Sequence, residues 1–544
     1  MSYVNSLFTG LMRILRPERK EITAIYFYAM FSGMIQLSLP LGVQAIIGYV
    51  MGGSMVTSIV LLVSLVVLGV MFAGIMQVNQ MKIIEKLQQR VFVQYSFRFA
   101  ERIPAVNLEH TDGRYLPELT NRFFDIITLQ KGISKILLDI PVATIQIFFG
   151  LLLLSVYHQV FILFGLVLLL ILWLILRFTA VHGLKTSMKE SSHKFAVAGW
   201  LEEMARVVRS FKYSQGTHFN VRKTDEKVCD YLGARTSHFK ILLIQYNALL
   251  AFKVLITAVM LFAGTTLLVR QQLNIGQFIA IEIVVLTVIA SVEKIIIRMD
   301  NVYDVLTSVS KLEEVADIMP EHDGRTELPP SSEGLKLDMQ QVTFGYPGRE
   351  PVVSNLSFTA LPGDRVCITG KNGSGKSTVL KLLSGSYAGF SGSILVNDLP
   401  LGSYRLQSLR ACSAVITGEP EIFQGTLWEN ITMGRPGIKE TEVLELARII
   451  GLSSFIASTK EGLDIPLGPG GNIIPTSVCR KIILLRALVH QPRLLLLEEP
   501  WQGFTPEEKE RVQQLLLERV GNATVLVCTN DEAFIRKCNK IISL

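Results

Sequence analysis

Residues 370–378 read Gly-Lys-Asn-Gly-Ser-Gly-Lys-Ser-Thr, a composition and spacing that suit the binding of phosphate. Gly370, Gly373 and Gly375 carry no Cβ, so the backbone can wrap closely and turn its N–H groups toward one anion. Lys376 adds a cation on a long arm for outer phosphates, and the Ser377 hydroxyl is a ligand for Mg2+. An apolar run, "RVCIT", precedes the loop and a helical pattern follows it, so the positive end of a helix dipole would face the same anion. This is the P-loop pattern without departure. Lys371, Asn372, Ser374 and Thr378 complete the candidate nucleotide-binding set.

A second stretch, "RLLLLEEPW" (493–501), is a buried-strand pattern that ends in two carboxylates. In a P-loop fold that is the place for metal support and water activation. Glu498 is the candidate metal ligand with Ser377, and Glu499 the candidate catalytic base. The alternative, two exposed glutamates at a strand end, is weakened by the four leucines before them. A third stretch, "GPGGNIIPTSVCRKIILLRAL" (468–488), has a glycine-rich turn, a polar break and a helix, and its meaning depends on the rest of the chain.

The elements that must position these residues divide sharply by composition. From about residue 335 to 544, strands, turns and helices alternate as in an α/β domain. Residues 319–334, rich in Pro, Glu and Ser, read as a linker. Before it lie six apolar segments, 22–49, 55–78, 136–157, 160–178, 244–269 and 275–297, each near the roughly 20 residues a membrane helix needs. The polar "YHQV" (157–160) separates two that would otherwise run on for about twice the length of one crossing.

The connections alternate in charge. "MGGS" (51–54) and "YHQV" carry no Lys or Arg, and "RQQLN" (270–274) carries one. The N-terminus and the long connections 79–135 and 179–243 are rich in both, which predicts that the two termini and both long connections are cytoplasmic in the cell's inner membrane. The long connections read as helical extensions with tips near 110–118 and 210–218. Residues 6–17 read either as an interfacial helix or as a plain start to the first span. Lys253, Glu282 and Glu293 fall in or near spans and are candidates to pair or to line a cavity.

The 544 residues, 49% of them hydrophobic, and the net charge of +7 fit this division. The basic residues crowd the connections between spans, so the positive charge follows topology and gives no case for nucleic acid. Six cysteines are scattered without CxxC spacing, which predicts neither a zinc site nor a disulfide frame.

Six spans with long cytoplasmic extensions followed by a P-loop domain resemble an ABC half-transporter of the exporter type. The resemblance is nearest to the peptide- and protein-exporting (type I secretion) branch, without the peptidase-like domain that branch carries at its N-terminus. It implies a fold class of an all-α six-helix transmembrane domain (22–318, after an N-terminal segment 1–21) joined through the linker to an ABC-type α/β domain (335–544). It implies ATP and Mg2+ as ligands, adenine stacking on Tyr346, and tips that act as coupling helices. Its partners would be the lipid bilayer, a second half-transporter in a homodimer or heterodimer, and a membrane-fusion protein.

The resemblance also marks departures. The Q-loop glutamine position falls on Gly418, and the LSGGQ signature on Ile474, Pro475, Thr476, Ser477 and Val478. Glu498 stands for the usual Asp, Thr505 for the D-loop Asp and Asn530 for the switch His. Proline has no N–H, and Cβ atoms at 476 and 477 obstruct close approach to phosphate. The expectation is a transport subunit that moves a peptide, lipid or amphipathic substrate out of the cytoplasm, binds ATP and hydrolyses it poorly. The alternative is an ATP-gated, non-hydrolytic regulator or scaffold of an envelope complex.

Overall fold

A computed structural model describes residues 2–52, 56–111, 116–214, 216–316, 321 and 323–544. Backbone packing separates the chain into two units. One holds the chain up to Pro104 and Arg114–Ile318, the other Ala105–Gly113 and Met319–Leu544.

The first unit is helical. Its elements are α1 (Ser2–Leu15), α2 (Arg19–Gln36), α3 (Ser38–Met51) and α4 (Val56–Arg102). After a short α5 (Leu108–Thr111), which belongs to the second unit, come α6 (Leu116–Thr120), α7 (Asp125–Tyr157), α8 (Val160–Arg206), α9 (Val208–Tyr213), α10 (Phe219–Val269) and α11 (Ile275–Ala316). Six helical stretches, among the described residues, are long and apolar enough to cross a membrane. They are also longer than a crossing requires. The 47 residues of α8 span about 70 Å, against a hydrocarbon core of roughly 30 Å. The apolar side chains of Leu61, Phe178 and Phe262 are 71%, 71% and 78% exposed, an arrangement stable only against lipid or another apolar surface.

Local chemistry explains where these helices break and touch. The first apolar segment is two helices, because Pro40 has no N–H for the Gln36 carbonyl and Leu37 closes α2 onto Met34 O at 3.1 Å. Pro141 does not break α7. It orphans the Leu137 carbonyl, and the buried Gln80 of α4 donates Nε2 to that oxygen at 3.0 Å. A Cβ at Gly150 would come within 2.6 Å of Val288, and one at Gly183 within 2.5 Å of Tyr303, so both glycines let their helices approach α11 closely. Lys253 of α10 pairs with Glu293 of α11 at 2.6 Å, and Arg298 with Asp139 at 2.6 Å. Leu7 and Ile14 of α1 are buried beside Tyr303, Leu306, Val309 and Leu312 of α11, so the apolar face of the N-terminal helix is covered by protein.

The second unit is α/β. An antiparallel sheet has the order β2 (Val353–Ala360), β1 (Leu337–Phe344), β4 (Ser391–Val396), β5 (Leu399–Pro400). A parallel sheet has the order β11 (Lys540–Ser543), β3 (Arg365–Thr369), β10 (Thr524–Cys528), β9 (Leu494–Glu498), β6 (Ser413–Ile416). A two-stranded ribbon pairs β7 (Gly425–Thr426) with β8 (Pro466–Leu467). Helices α12 (Lys376–Leu383), α13 (Leu406–Ala411), α14 (Leu427–Thr432), α15 (Glu440–Ile450), α16 (Ser453–Ala457), α17 (Thr476–Leu488), α18 (Pro506–Gln514) and α19 (Glu532–Ile535) cover it. The inner parallel strands β3, β10 and β9 are buried on both faces, which is why β9 opens with four consecutive, fully buried leucines.

Residues 112–115, within the first expected tip, and Gln215, within the second, lie outside the described residues, as do 317 and 318 and, in the expected linker, 319, 320 and 322. The short helices α5 and α9 flank or occupy those tips. The described part of the linker is bound down. Arg410 holds Glu321 with two hydrogen bonds of 2.5 and 2.7 Å, Leu406 N donates to Asp323 at 2.7 Å, and Leu328 is buried. Its polar composition serves hydrogen bonds along the α/β unit as well as connection.

Candidate functional site

The edge where β3, β9 and β10 end gathers the P-loop, both glutamates and Asn530. Gly373 (φ +83°) and Gly375 (φ +95°) sit in the left-handed region that glycine alone adopts at little cost, and they bend the loop into the start of α12. Lys376 folds its Nζ over the loop and donates to the carbonyls of Gly370 (2.7 Å) and Lys371 (2.9 Å). The Ser374 hydroxyl is buried in the loop without a hydrogen-bond partner, leaving a donor and an acceptor over. The Tyr346 hydroxyl lies 3.1 Å from that of Thr378, and its ring packs against Phe344 and Tyr387, which sets an aromatic face beside the first turn of α12.

The carboxylates are held differently. Ser377 Oγ donates to Glu498 Oε1, and Gly418 N donates to Glu498 Oε2 at 3.4 Å, so one side chain joins the P-loop serine to the loop after β6. Glu499 has φ +41°, a strained conformation for a residue with a side chain, fixed by its N–H on Cys528 O at 3.0 Å. Its Oε2 accepts from the buried Thr529 hydroxyl at 3.0 Å. Burial, and then the Glu498 charge, push the Cys528 thiol well up, so a neutral group lies behind the carboxylates.

These groups fit a nucleotide with its divalent cation. The loop offers a bent run of backbone N–H groups, a lysine resting on weak carbonyl partners and an unspent hydroxyl. Ser377 and Glu498 already present two oxygens to one another, the donor set a hard cation uses.

Of the remaining expected positions, Gly418 meets this edge through Glu498 and Asn530 through Gly370. Gly418 has φ +72°, and open space surrounds the place a Cβ would take. Pro475 is the N-cap of α17 and gives it no side-chain acceptor; Pro475 and Thr476 are exposed, and Ile474 turns back onto the helical core. Ser477 and Val478 are half-buried in the first turn. Ile473, just before the segment, is 84% exposed. Thr505 caps α18 in a closed box with Glu508. Asn530 is turned onto Gly370, accepting from its N–H at 3.2 Å and donating to its carbonyl at 3.1 Å.

Residues 353–502 match the model of the ABC transporter family. The whole chain superposes on a bacterial Atm1-family ABC exporter with ATP bound, with a TM-score of 0.86 over 97% of this chain and 93% of that one, at 16% identity. The chain has the fold of that exporter. Among curated relatives, this chain is 34% identical over 221 residues to the ABC-type transporter kk1G of Curvularia clavata, covering 40% of the chain and 16% of kk1G. It is 26% identical over 323 residues to the cyclolysin secretion/processing ATP-binding protein CyaB of Bordetella pertussis, covering 59% and 45%. The ABC transporter ATP-binding protein YknV of Bacillus subtilis is 26% identical over 293 residues, covering 53% and 48%. The chain therefore spans about half or less of the length of these relatives.

Sequence reasoning missed several supporting residues. Thr529 holds Glu499, and nothing but its place beside Asn530 pointed to it. Lys481 of α17 is buried, donates to Glu508 at 2.6 Å and to Gly451 O at 3.1 Å, and so ties α17 to the cap of α18. Burial alone would raise the Glu508 pKa, but the hydrogen bonds from Lys481 and the Thr505 backbone outweigh it and the net shift is downward. A signal existed here, since "TPEE" (505–508) is a capping-box pattern.

Proposed function

We propose that this half-transporter binds ATP with Mg2+ and serves as a dimeric transport subunit of the inner membrane that turns nucleotide over slowly. The observation that carries the reading is the intact P-loop with Ser377 joined to Glu498 and with Glu499 held beside them. Lys376 would leave its two carbonyls to bind outer phosphates, Ser377 and Glu498 would hold the cation, and Glu499 would orient the attacking water and take its proton. The bound cation supplies charge neutralisation on the phosphates. Each site in such a dimer is completed by the other chain's signature segment, here Ile474–Val478 with an exposed proline, so a homodimer presents no signature to either site. A heterodimer with a complete half-transporter has two unequal sites. The exported substrate is a peptide, lipid or amphipathic molecule, with cytoplasmic termini and a membrane-fusion protein as accessory partner.

A second reading is an ATP-gated regulator that does not hydrolyse. It is favoured by Thr505 and Asn530, both of which are committed to contacts within their own domain. Mg-ATP turnover and nucleotide binding by the purified protein in lipid, beside Lys376→Ala and Glu499→Gln, separate the two. Turnover lost in Glu499→Gln supports the transport subunit. Lys376-dependent binding without turnover above the Glu499→Gln background supports the regulator, and no Lys376-dependent binding overturns both.

A further inference from the structure

Asn530 is fixed from both sides before its own side chain is considered. Thr529 donates its hydroxyl to Glu499, and its N–H reaches Ile368 O on β3 at 3.2 Å. Asp531 caps α19 by accepting from Phe534 N at 3.1 Å, accepts from Gln513 of α18 at 3.2 Å and pairs with Lys509. Burial would raise the Asp531 pKa, but these partners prevail and keep it low, so the anchor is charged at neutral pH. The backbone of 529–531 is therefore tied to β3, to Glu499 and to α18, and the Asn530 amide has a defined direction. It meets Gly370 as one amide meets another, with the N–H and the carbonyl of the same residue bonded at once.

The Gly370 carbonyl has a second donor, Lys376 Nζ. The two donors differ in what they can do next. Lys376 must release the carbonyl to reach a phosphate, while Asn530 has no such demand on it and both of its polar ends are already used. Leu544 N also bonds Thr369 O at 2.9 Å, so the residue before the loop is fixed independently. The hinge at which the loop leaves β3 is thus clamped whether or not Lys376 is engaged.

We propose that Asn530 is a positioning residue that holds the phosphate loop in its accepting shape through Gly370, and that it does not read the terminal phosphate. The inference rests on the nucleotide reading of the loop and goes further by assigning what the amide does there. Nucleoside di- and triphosphate gain equally from a loop already in shape, because binding no longer has to order it. Loss of the clamp therefore weakens both to the same degree, whereas loss of a terminal-phosphate contact weakens only the triphosphate.

The test uses the full chain in lipid, with Mg-ATP and Mg-ADP affinities measured by a fluorescent-nucleotide displacement titration. Amide exchange over residues 369–377 is followed in nucleotide-free protein. Asn530→Ala is expected to weaken ATP and ADP equally, by about tenfold, the scale of one or two net hydrogen bonds, and to speed exchange of the loop while leaving β9 and β10 protected. Asn530→His, which offers Gly370 only one of the two bonds, is expected to fall between, and it serves alone if the alanine variant fails to fold. Loop exchange equal to wild type in a folded variant, or an affinity loss confined to ATP, overturns the proposal. If the wild-type chain binds no nucleotide, the functional reading fails, and exchange of the loop alone still decides whether the clamp exists.

Discussion

Thr505 falls at the position that the resemblance to ABC exporters assigns to an aspartate, and its hydroxyl accepts from Glu508 N while Glu508 accepts from Thr505 N. Threonine and aspartate there would cap the helix alike, because both place an oxygen where the first turn of α18 needs one. Glu508 in turn holds Lys481, so the cap also fixes α17. Thr505→Ala is expected to lower the stability of the α/β unit by about 1 kcal/mol, whereas Thr505→Asp leaves it unchanged; thermal melts of the two variants check this. Gly418 is different in kind. At φ +72° a glutamine would have room but the wrong backbone, so a side chain restored there would strain the loop.

At the scale of elements, the helix pair α4 and α7 carries a test of its own. Pro141 sits inside α7 because Gln80 of α4 takes over the carbonyl that the missing N–H leaves bare. Gln80→Leu buries that carbonyl unpaired and is expected to destabilise the helical unit by about 1–3 kcal/mol. Pro141→Ala restores the bond along the helix, so the double variant should recover most of the loss. Denaturation of the four proteins in detergent forms the cycle, and recovery by the second substitution is what distinguishes this account from simple loss of packing.

For the whole molecule, the reading of composite sites predicts complementation. A chain with the signature rebuilt by Ile474→Leu, Pro475→Ser, Thr476→Gly, Ser477→Gly and Val478→Gln, and its P-loop disabled by Lys376→Ala, cannot turn ATP over alone. On that reading the natural chain has the P-loop and Glu499 but no working signature. Mixed in lipid, the two are expected to hydrolyse ATP about tenfold or more faster than either separately, since a mixed dimer holds one site with both halves. A serine at 475 would also be a better N-cap for α17 than proline, so the rebuilt helix should fold. A steady-state phosphate-release assay across mixing ratios checks the outcome.

The sequence by itself determined the P-loop, the strand that ends in Glu498 and Glu499, and the apolar runs long enough to cross a membrane. Each is a local pattern, in which glycine spacing, consecutive leucines or segment length carries the physics without reference to distant residues. Only the tertiary structure decided what the altered positions do. That Asn530 closes on Gly370 across 160 residues, that Glu498 joins Ser377 to Gly418, and that Gln80 answers Pro141 are facts of through-space pairing. Composition also gave no sign that Glu321, Asp323, Thr326 and Leu328, in the expected linker, bond to the 403–410 region. Hydrogen-bond partners of a polar residue are set by the elements that packing brings near it, and one chain read along its length does not contain that distance.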